Sequence, residues 1–325
     1  PSMSEQASAW AMVYEINGRP ANIRMFLPGR PRLPPRAQTV AIVRPDAAIF
    51  GQKDFQQLRI IEAMVDIAES QGVEFRFNSP ISNIEANGKR AYGVRTNGSS
   101  FAADYIVAGA DYHHVEQDLL PEHHRQYGDS YWNSRVMAPS SLIFYLGLNK
   151  RLRNLRHHTL FFDADFGRHK HEIYTDPKWP EAPQFYVSCP SQTDQTVAPP
   201  GGENLFVLIP VAAGLKDDFP MREKYFDMVI ARMEHLTGES IRDHVVYKRS
   251  YAHNDFVNDY NAFRGNAYGL ANTLLQTANF KPRMLNKNIS NVLYTGQLTV
   301  PGPGVPPSII SGQVAARTLI KQYRK

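Results

Sequence analysis

The chain has 325 residues, 42% apolar and 21% charged, enough to bury a substantial core in one large or two smaller domains, and this excludes a disordered or fibrous polypeptide. Its net charge of +5 is modest for this length and dispersed, so no nucleic-acid partner is expected. A single cysteine, Cys189, excludes an internal disulfide framework and a cysteine zinc cluster and makes a reducing cytoplasm the default.

In chain order, residues 1–38 carry little pattern. Met12 to Ile16 (MVYEI) and Ile23 to Leu27 (IRMFL) are short strand candidates, and Leu27 to Arg36 (LPGRPRLPPR) reads as an extended Pro/Arg linker. This leader is expected to be the least ordered part. From Thr39 an apolar strand-like run passes Gly51 into a helix expected over Asp54 to Ser70. There Leu58, Ile61, Met64, Val65 and Ala68 recur at three and four and give one buried face. Val73, Phe75 and Phe77 alternate as in a half-buried strand. Asn87-Gly88 and Asn97-Gly98 then punctuate a run of strands from Ile81 to Ala108, the pattern of a β-meander ending in the apolar strand Tyr105 to Ala108.

A second sheet-rich region begins near Ser140. SLIFYLGL, HTLFF, PQFYVSCP and NLFVLIPVA are strand candidates separated by polar or Pro-rich loops, which fits a mostly antiparallel sheet with one covered face. A helix expected over Met221 to Leu236 sets Tyr225, Met228, Val229, Met233 and Leu236 on one side. His244 to Ala252 is a further strand, and Tyr260 to Arg283 is aromatic, apolar and glycine-containing. Lys150 to Arg156 (KRLRNLR) places four cations in seven residues, a solvated loop or a patch for the phosphates of an anionic surface. No apolar run reaches the roughly 18 residues a transmembrane helix needs, and no secretory leader is expected.

The reactive side chains read mostly as structure. Cys189 precedes Pro190 in an apolar run and is expected to be a packed core thiol. His113-His114 and His123-His124 follow Asp111, the second pair as solvated surface. His157 and His158 adjoin a strand on which neighbours point opposite ways. With no HExxH and no carboxylates at ligand spacing, no metal is expected. Asp194 and Asp255 read as caps. Near the C-terminus, a strand (Asn291 to Tyr294) runs through Thr295 and Gly296 into a loop with Gly302, Gly304 and four prolines, then a helix expected from about Pro307 to Tyr323. Free N–H groups and the positive helix end suit an anionic or electron-rich ligand; a rigid turn before a packing helix is the alternative.

Two resemblances follow from these stretches. Val43 to Leu58 (VRPDAAIFGQKDFQQL) resembles the signature of pantothenate synthetase, an ATP-dependent pantoate–β-alanine ligase. That likeness would place Gly51 and Asp54 at the ribose, Lys53 at the phosphates and Gln57 at pantoate. It covers this segment alone, with no HxGH nucleotide loop beside it. From about Ile60 to the end, the chain resembles bacterial phytoene desaturases, the FAD-dependent carotenoid desaturases of the flavin amine-oxidase-like group. The blocks that carry this are IVAGAD (Ile106 to Asp111), SLIFYLGLNK (Ser141 to Lys150), HHTLFF (His157 to Phe162), SQTDQTVAPPGGENLFVLIPVA (Ser191 to Ala212), GNAYGLANTLLQTA (Gly265 to Ala278) and TGQLTVPGPGVPPSIISG (Thr295 to Gly312).

The resemblance implies an FAD-dependent oxidoreductase acting on a long apolar polyene. It implies flavin contacts at Gly296, Gln297, Gly304, Val305 and Pro306, with the strand entered at Ile81 near the adenine and Asp111 returning under the cofactor. Gln297 stands where many such enzymes carry an acid, and an amide still hydrogen-bonds a ribityl hydroxyl. A polyene offers no charge to grip, so its site needs an apolar tunnel. Phe144, Tyr145, His157 and Tyr268 are the substrate-facing candidates, with Phe161, Phe162, Phe185, Phe206, Tyr251 and Phe263 as further wall; no catalytic residue is assigned.

The implied fold is mixed α/β: an incomplete FAD-binding Rossmann-like layer plus a substrate domain whose mostly antiparallel sheet is covered by helices. Its parts are a leader (1–38), a partial FAD domain (39–111, with 39–61 pantothenate-synthetase-like), a substrate and membrane-associated domain (112–285) and a C-terminal flavin-contacting unit (286–325). Such a site also requires a G-x-G-x-x-G unit for the pyrophosphate, and none occurs in the sequence. A truncated or fused desaturase is therefore expected, weak or inactive alone. Each factor of ten in affinity is about 1.4 kcal/mol, so a few lost phosphate bonds would leave FAD weakly held. A non-catalytic apolar-ligand module is the other alternative. The expected location is cytoplasmic, docked peripherally on the inner face of the cell membrane.

Overall fold

The computed structural model describes residues 63–76, 79–96 and 98–323, together with the backbone of two strands at 10–14 and 23–26. The segment Val43 to Leu58, the linker Leu27 to Arg36 and the first part of the Asp54 to Ser70 helix lie outside the described residues; 63–70 is helical, as expected.

β1 (Trp10–Tyr14) and β2 (Ile23–Phe26) pair antiparallel, and β3 (Val73–Arg76) lies parallel to β2. β4 (Ile81–Asn87), β5 (Arg90–Thr96) and β6 (Ser99–Ala102) form the meander, with Gly88 supplying the positive φ of its first turn. β7 (Tyr105–Gly109) does not complete that meander, contrary to expectation. It crosses into a five-stranded sheet of order β13-β7-β1-β2-β3, in which β13 (Val292–Tyr294) runs parallel to it. Burial explains the move, because a strand of sequence YIVAG is apolar on both faces and needs cover on both. One face packs with Ile84, Val94, Tyr112, Val115 and Tyr294. The other packs Val107 and Leu293 against Ala315 and Leu319 of the C-terminal helix. Asn291 ties the two sheets together, accepting from the Ala91 N–H at 2.8 Å and donating to the Ala91 and Asp104 carbonyls at 2.7 and 2.6 Å.

The second sheet is antiparallel throughout, with order β12-β8-β11-β10-β9: β8 (Ser140–Leu148), β9 (His158–Phe161), β10 (Phe185–Ser188), β11 (Glu203–Val211) and β12 (Val245–Tyr251). Three helices accompany it: α1 (Phe166–Tyr174), α2 (Phe219–Thr237) and α3 (His253–Tyr260). A fourth, α4 (Val305–Tyr323), ends the described chain. Asp218 caps α2 by accepting from the Met221 N–H at 3.0 Å, and Gly238 at φ +70° ends it. The buried side of α2 is Tyr225, Phe226, Val229, Ile230 and Met233; the expected Leu236 is exposed instead.

Strand alternation sorts the aromatic residues. Leu142, Phe144, Leu146, Val187, Val207, Ile209, Phe161 and Phe185 face α2 in one core. Ile143, Tyr145, Phe206, Leu208 and Tyr251 face the other side, with Phe256, Tyr260 and Ala262 at one end of it. Two caps are as read from the sequence: Asp194 accepts from the Thr196 N–H at 2.9 Å and Asp255 from the Ala252 N–H at 2.8 Å. Cys189 is a buried free thiol that burial pushes up to about 12. His124 differs from expectation. It is buried, its Nε2 2.7 Å from the Gly88 carbonyl, because the Asn87-Gly88 turn folds over it.

Candidate functional site

β7 and β13 are parallel neighbours, so their carboxyl ends open on one edge of the sheet, where α/β proteins take ligands. β7 leads to Asp111 there, and β13 to Gly296 and Gln297. A small pocket is lined by Asp111, Phe256, Tyr260, Ala262, Asn266, Ala267 and Gln297.

Asp111 is an anchor of this edge. Its Oδ1 accepts from the His113 and His114 N–H groups at 2.9 and 3.2 Å, and its Oδ2 from the Phe263 N–H at 3.3 Å. Burial outweighs these bonds and raises its carboxyl to about 6. Gln297 donates through Nε2 to Asn266 Oδ1 at 3.1 Å, and that oxygen also accepts from the Gly269 N–H at 2.7 Å. Gly269 sits at φ +74°, and a Cβ there would lie 3.2 Å from Leu298 Cδ2 and 3.3 Å from the Gln297 carbonyl. The turn therefore lies flat on the strand end only with glycine.

Gly296, at φ +95°, donates its N–H to Ser311 Oγ at 2.9 Å, and Ser311 Oγ donates in turn to the Ser308 carbonyl at 2.6 Å. These bonds fix the second turn of α4 against the strand end. The helix begins at Val305, two residues before the expected Pro307, with Pro306 and Pro307 in a first turn where missing N–H groups are tolerated and which holds no acidic residue. Gly304, at φ +110°, and Pro306 are exposed, and Val305 is half-buried. Ile81 is elsewhere. It opens β4 opposite Thr96 in the three-stranded sheet, away from the Asp111–Gln297 pocket.

The open face of the second sheet leads to this pocket. Leu160 (59% exposed), Tyr186, Phe206 and Tyr145 lie on that face across four strands, with Tyr145–Phe206 ring centroids 5.5 Å apart. Ile143, Leu208 and Tyr251 continue it to Phe256, Tyr260 and Ala262, three residues of the pocket wall. Of the expected substrate-facing residues, Tyr145 lies on this face. Tyr268, 44% exposed, stands at its rim with its side chain toward Ser141. Phe144 does not belong to it. It is fully buried against Phe226, since its neighbours on β8 alternate faces; Phe161 and Phe185 stack on that same helix side at 4.5 Å. His157 is also displaced, its Nδ1 2.6 Å from Thr193 Oγ1 in the loop below β10. Its neighbour His158 takes the open face, 2.6 Å from the Tyr186 hydroxyl.

Asn266, Phe256, Tyr260 and Ser311 went unnoticed in the sequence. The Gly-Asn-Ala-Tyr-Gly run around Asn266 carries a signal, an Asx residue between turn glycines; the others look like ordinary helix residues. Beneath the site, Glu116 is buried and accepts from the Tyr294 hydroxyl and from the Gln126 and Tyr127 N–H groups, the latter two at 2.7 and 3.0 Å. Burial raises its carboxyl too. Tyr112 stacks on Tyr294 at 3.9 Å above it. Among the described residues no group of three or more His, Cys, Asp or Glu side chains could hold a metal ion, and no helix is long and apolar enough to cross a membrane.

A sequence model for flavin containing amine oxidoreductases matches residues 7–320. A carotenoid 3,4-desaturase of Haloarcula japonica is 36% identical over 306 residues, taking in 91% of this chain and 60% of that protein. A zeta-carotene-forming phytoene desaturase of Myxococcus xanthus is 30% identical over 269 residues, with 80% of this chain and 51% of that protein covered. The chain thus spans about half to three-fifths of the length of these curated relatives. Among solved structures, an oxidoreductase from Methanosarcina mazei superposes with a TM-score of 0.52 at 14% identity, over 79% of this chain and 53% of that one. Putrescine oxidase gives 0.50 at 10% identity, over 83% and 53%. At such identities the likeness is one of fold.

Proposed function

The chain belongs to the flavin containing amine oxidoreductase family, and from that membership we propose that it is the substrate-binding and flavin-facing portion of an FAD-dependent desaturase of a long apolar polyene. The observation that carries this reading is the continuity of one surface: the apolar face through Tyr186, Phe206, Tyr145 and Ile143 ends at the residues that wall the Asp111–Gln297 pocket. A polyene can be held only by dispersion and burial, and this face offers both along a line leading to the strand ends.

The residues at those ends suit the ring of a flavin. Gly296 and Gly304 allow close backbone approach, the acid-free N-terminus of α4 favours an electron-rich edge, and Gln297 presents an amide already oriented by Asn266. FAD, when bound, supplies the two-electron acceptor that removal of hydrogen from an unactivated chain requires. The chain's own part is to exclude water with Phe256 and Tyr260, to align the polyene, and to hold Asp111 at the pocket wall. Peripheral docking on a membrane surface is part of the proposal, since the substrate is insoluble in water, and the exposed Leu274, Leu275 and Phe280 are compatible with it.

The test is reconstitution of the chain with FAD, a quinone and liposomes carrying a C40 polyene. The expected result is polyene binding, with a product absorbing at longer wavelength, from an extended conjugated system, formed slowly and only at high FAD, since the sequence holds no G-x-G-x-x-G unit. Polyene binding with no spectral change on any FAD addition would leave a non-catalytic polyene binder; absence of polyene binding would refute the proposal.

A further inference from the structure

Beneath the strand ends lies a set of oxidisable rings that the proposed reaction does not use. Tyr294 closes β13, Tyr112 follows Asp111 after β7, and both are 1% exposed. Their rings stack at 3.9 Å with 20° between the planes. From Tyr112 the contacts continue outward: Tyr127 lies 6.0 Å away and Trp132 5.7 Å, and these reach Tyr131 at 4.2 and 5.2 Å. Tyr131 is half-buried and meets solvent. The rings thus form an unbroken path, at the spacings of ordinary aromatic contacts, from a fully buried tyrosine to the surface.

The inner end of that path carries a proton acceptor. The Tyr294 hydroxyl donates to Oε1 of Glu116, which is 0% exposed, and accepts from Asn286 Nδ2 at 2.8 Å. The other partners of the Glu116 carboxyl also donate: the Gln126 and Tyr127 N–H groups to Oε2 at 2.7 and 3.0 Å, and Asn286 Nδ2 to Oε1 at 3.3 Å. A carboxyl met only by donors fits its ionised form. Burial raises the proton affinity of both the carboxylate and the Tyr294 phenol, so the proton stays on the tyrosine while the ring is reduced. A phenol that loses an electron becomes a strong acid, and the carboxylate already bonded to its O–H is placed to take the proton. Tyr112 differs, because its hydroxyl donates to the Arg283 carbonyl at 2.8 Å, a group too weakly basic to keep a proton.

We propose that Tyr294 is a redox-active tyrosine with Glu116 as its proton acceptor, and that Tyr112, Tyr127, Trp132 and Tyr131 relay the electron between it and the surface. The oxidant is a peroxyl radical, the class that polyenes and unsaturated lipids form in air. It takes one electron from the path at Tyr131 and, with a proton from solvent, becomes a hydroperoxide. The electron deficiency passes inward to Tyr294, which ends as a neutral phenoxyl radical, its proton on Glu116 and the new O–H donating back to the phenoxyl oxygen. A thiol in solution closes the cycle. It gives one electron along the same path and its proton to solvent, and Glu116 returns the proton to Tyr294. None of these rings lines the Asp111–Gln297 pocket, so the inference is independent of the flavin reading.

The purified chain is exposed to peroxyl radicals from a water-soluble azo initiator, or oxidised in a laser flash by photogenerated tris(bipyridine)ruthenium(III), and the tyrosyl radical is followed by EPR and transient absorbance. The expected result is a long-lived tyrosyl signal with either oxidant, its lifetime at least tenfold shorter in Tyr294→Phe and in Glu116→Gln and its appearance several-fold slower in Tyr131→Phe. Tyr92→Phe, at an exposed tyrosine outside the path, should change neither. A ring-fluorinated tyrosine placed at position 294, which preserves the packing, should add fluorine splitting to the EPR signal. Absence of that splitting, or an unchanged lifetime in Tyr294→Phe, overturns the proposal. A lifetime that Glu116→Gln leaves unchanged removes the proton acceptor and overturns it too, as does a chain that gives no tyrosyl signal with peroxyl radicals. Should Tyr294→Phe or Glu116→Gln fail to fold in melting curves, the fluorine splitting decides.

Discussion

Replacement of Asp111 by asparagine tests the electrostatics of the pocket wall. Burial lifts the carboxyl from 3.8 to about 6, so the folded state holds a proton that the unfolded chain has released across that interval. For a group raised in the folded state, the stabilising contribution is complete below the unfolded value and is lost as the pH climbs through the folded one. At about 1.36 kcal/mol per unit, the wild type should lose on the order of 3 kcal/mol relative to a non-titrating variant between pH 4 and pH 7.5. Asparagine resembles the protonated acid. It keeps an acceptor for the His113 and His114 N–H groups but turns an amide NH2 toward the Phe263 N–H, so at pH 4 the variant should lie about 1–3 kcal/mol below the wild type. Urea unfolding of both proteins at pH 4, 5, 6 and 7.5 gives the difference directly, and titrations common to both, such as those of His113, His169 and His253, cancel. A gap that widens in favour of the wild type as the pH rises would show the Asp111 carboxyl depressed rather than raised and would refute the argument.

Other outcomes follow from the packing. Phe144→Ala should cost about 3–5 kcal/mol as a cavity against Phe226, whereas Tyr145→Ala on the open face should cost under about 2 kcal/mol and weaken polyene binding; paired melting and binding curves separate the two faces. Glu116→Ala leaves the Tyr294 hydroxyl, the buried Gln126 N–H and the partly buried Tyr127 N–H without an acceptor, and a loss of about 3–5 kcal/mol is expected by chemical denaturation. Gly265→Ala should lose about 3 kcal/mol or more, since φ is +60° and a Cβ would stand 2.8 Å from His253 backbone atoms. Cys189, its thiol pushed up to about 12, should resist a disulfide reagent at pH 8 until the protein unfolds; reaction in the native state would contradict its burial.

Much of this protein is determined by local sequence. Alternation at two residues fixes the strands of the antiparallel sheet, and spacing at three and four with Asp218 and Gly238 at its ends fixes α2. The Gly/Pro run after Tyr294 marks a strand, a loop and a helix start, because each needs residue types that few other conformations accept. Tertiary structure decides what periodicity cannot. Whether Phe144 or Tyr145 meets a ligand depends on which face α2 covers, and both faces of β8 carry large apolar or aromatic residues in sequence. Tyr105–Gly109 could pair with the meander or with β13, and only the two apolar layers that enclose it settle the choice. Asp111 and Gln297 are 186 positions apart and share a pocket because two parallel strands end on the same edge. Lys281 reads as one cation among many; the fold alone buries it beside Gly302, with no ion pair among the described residues.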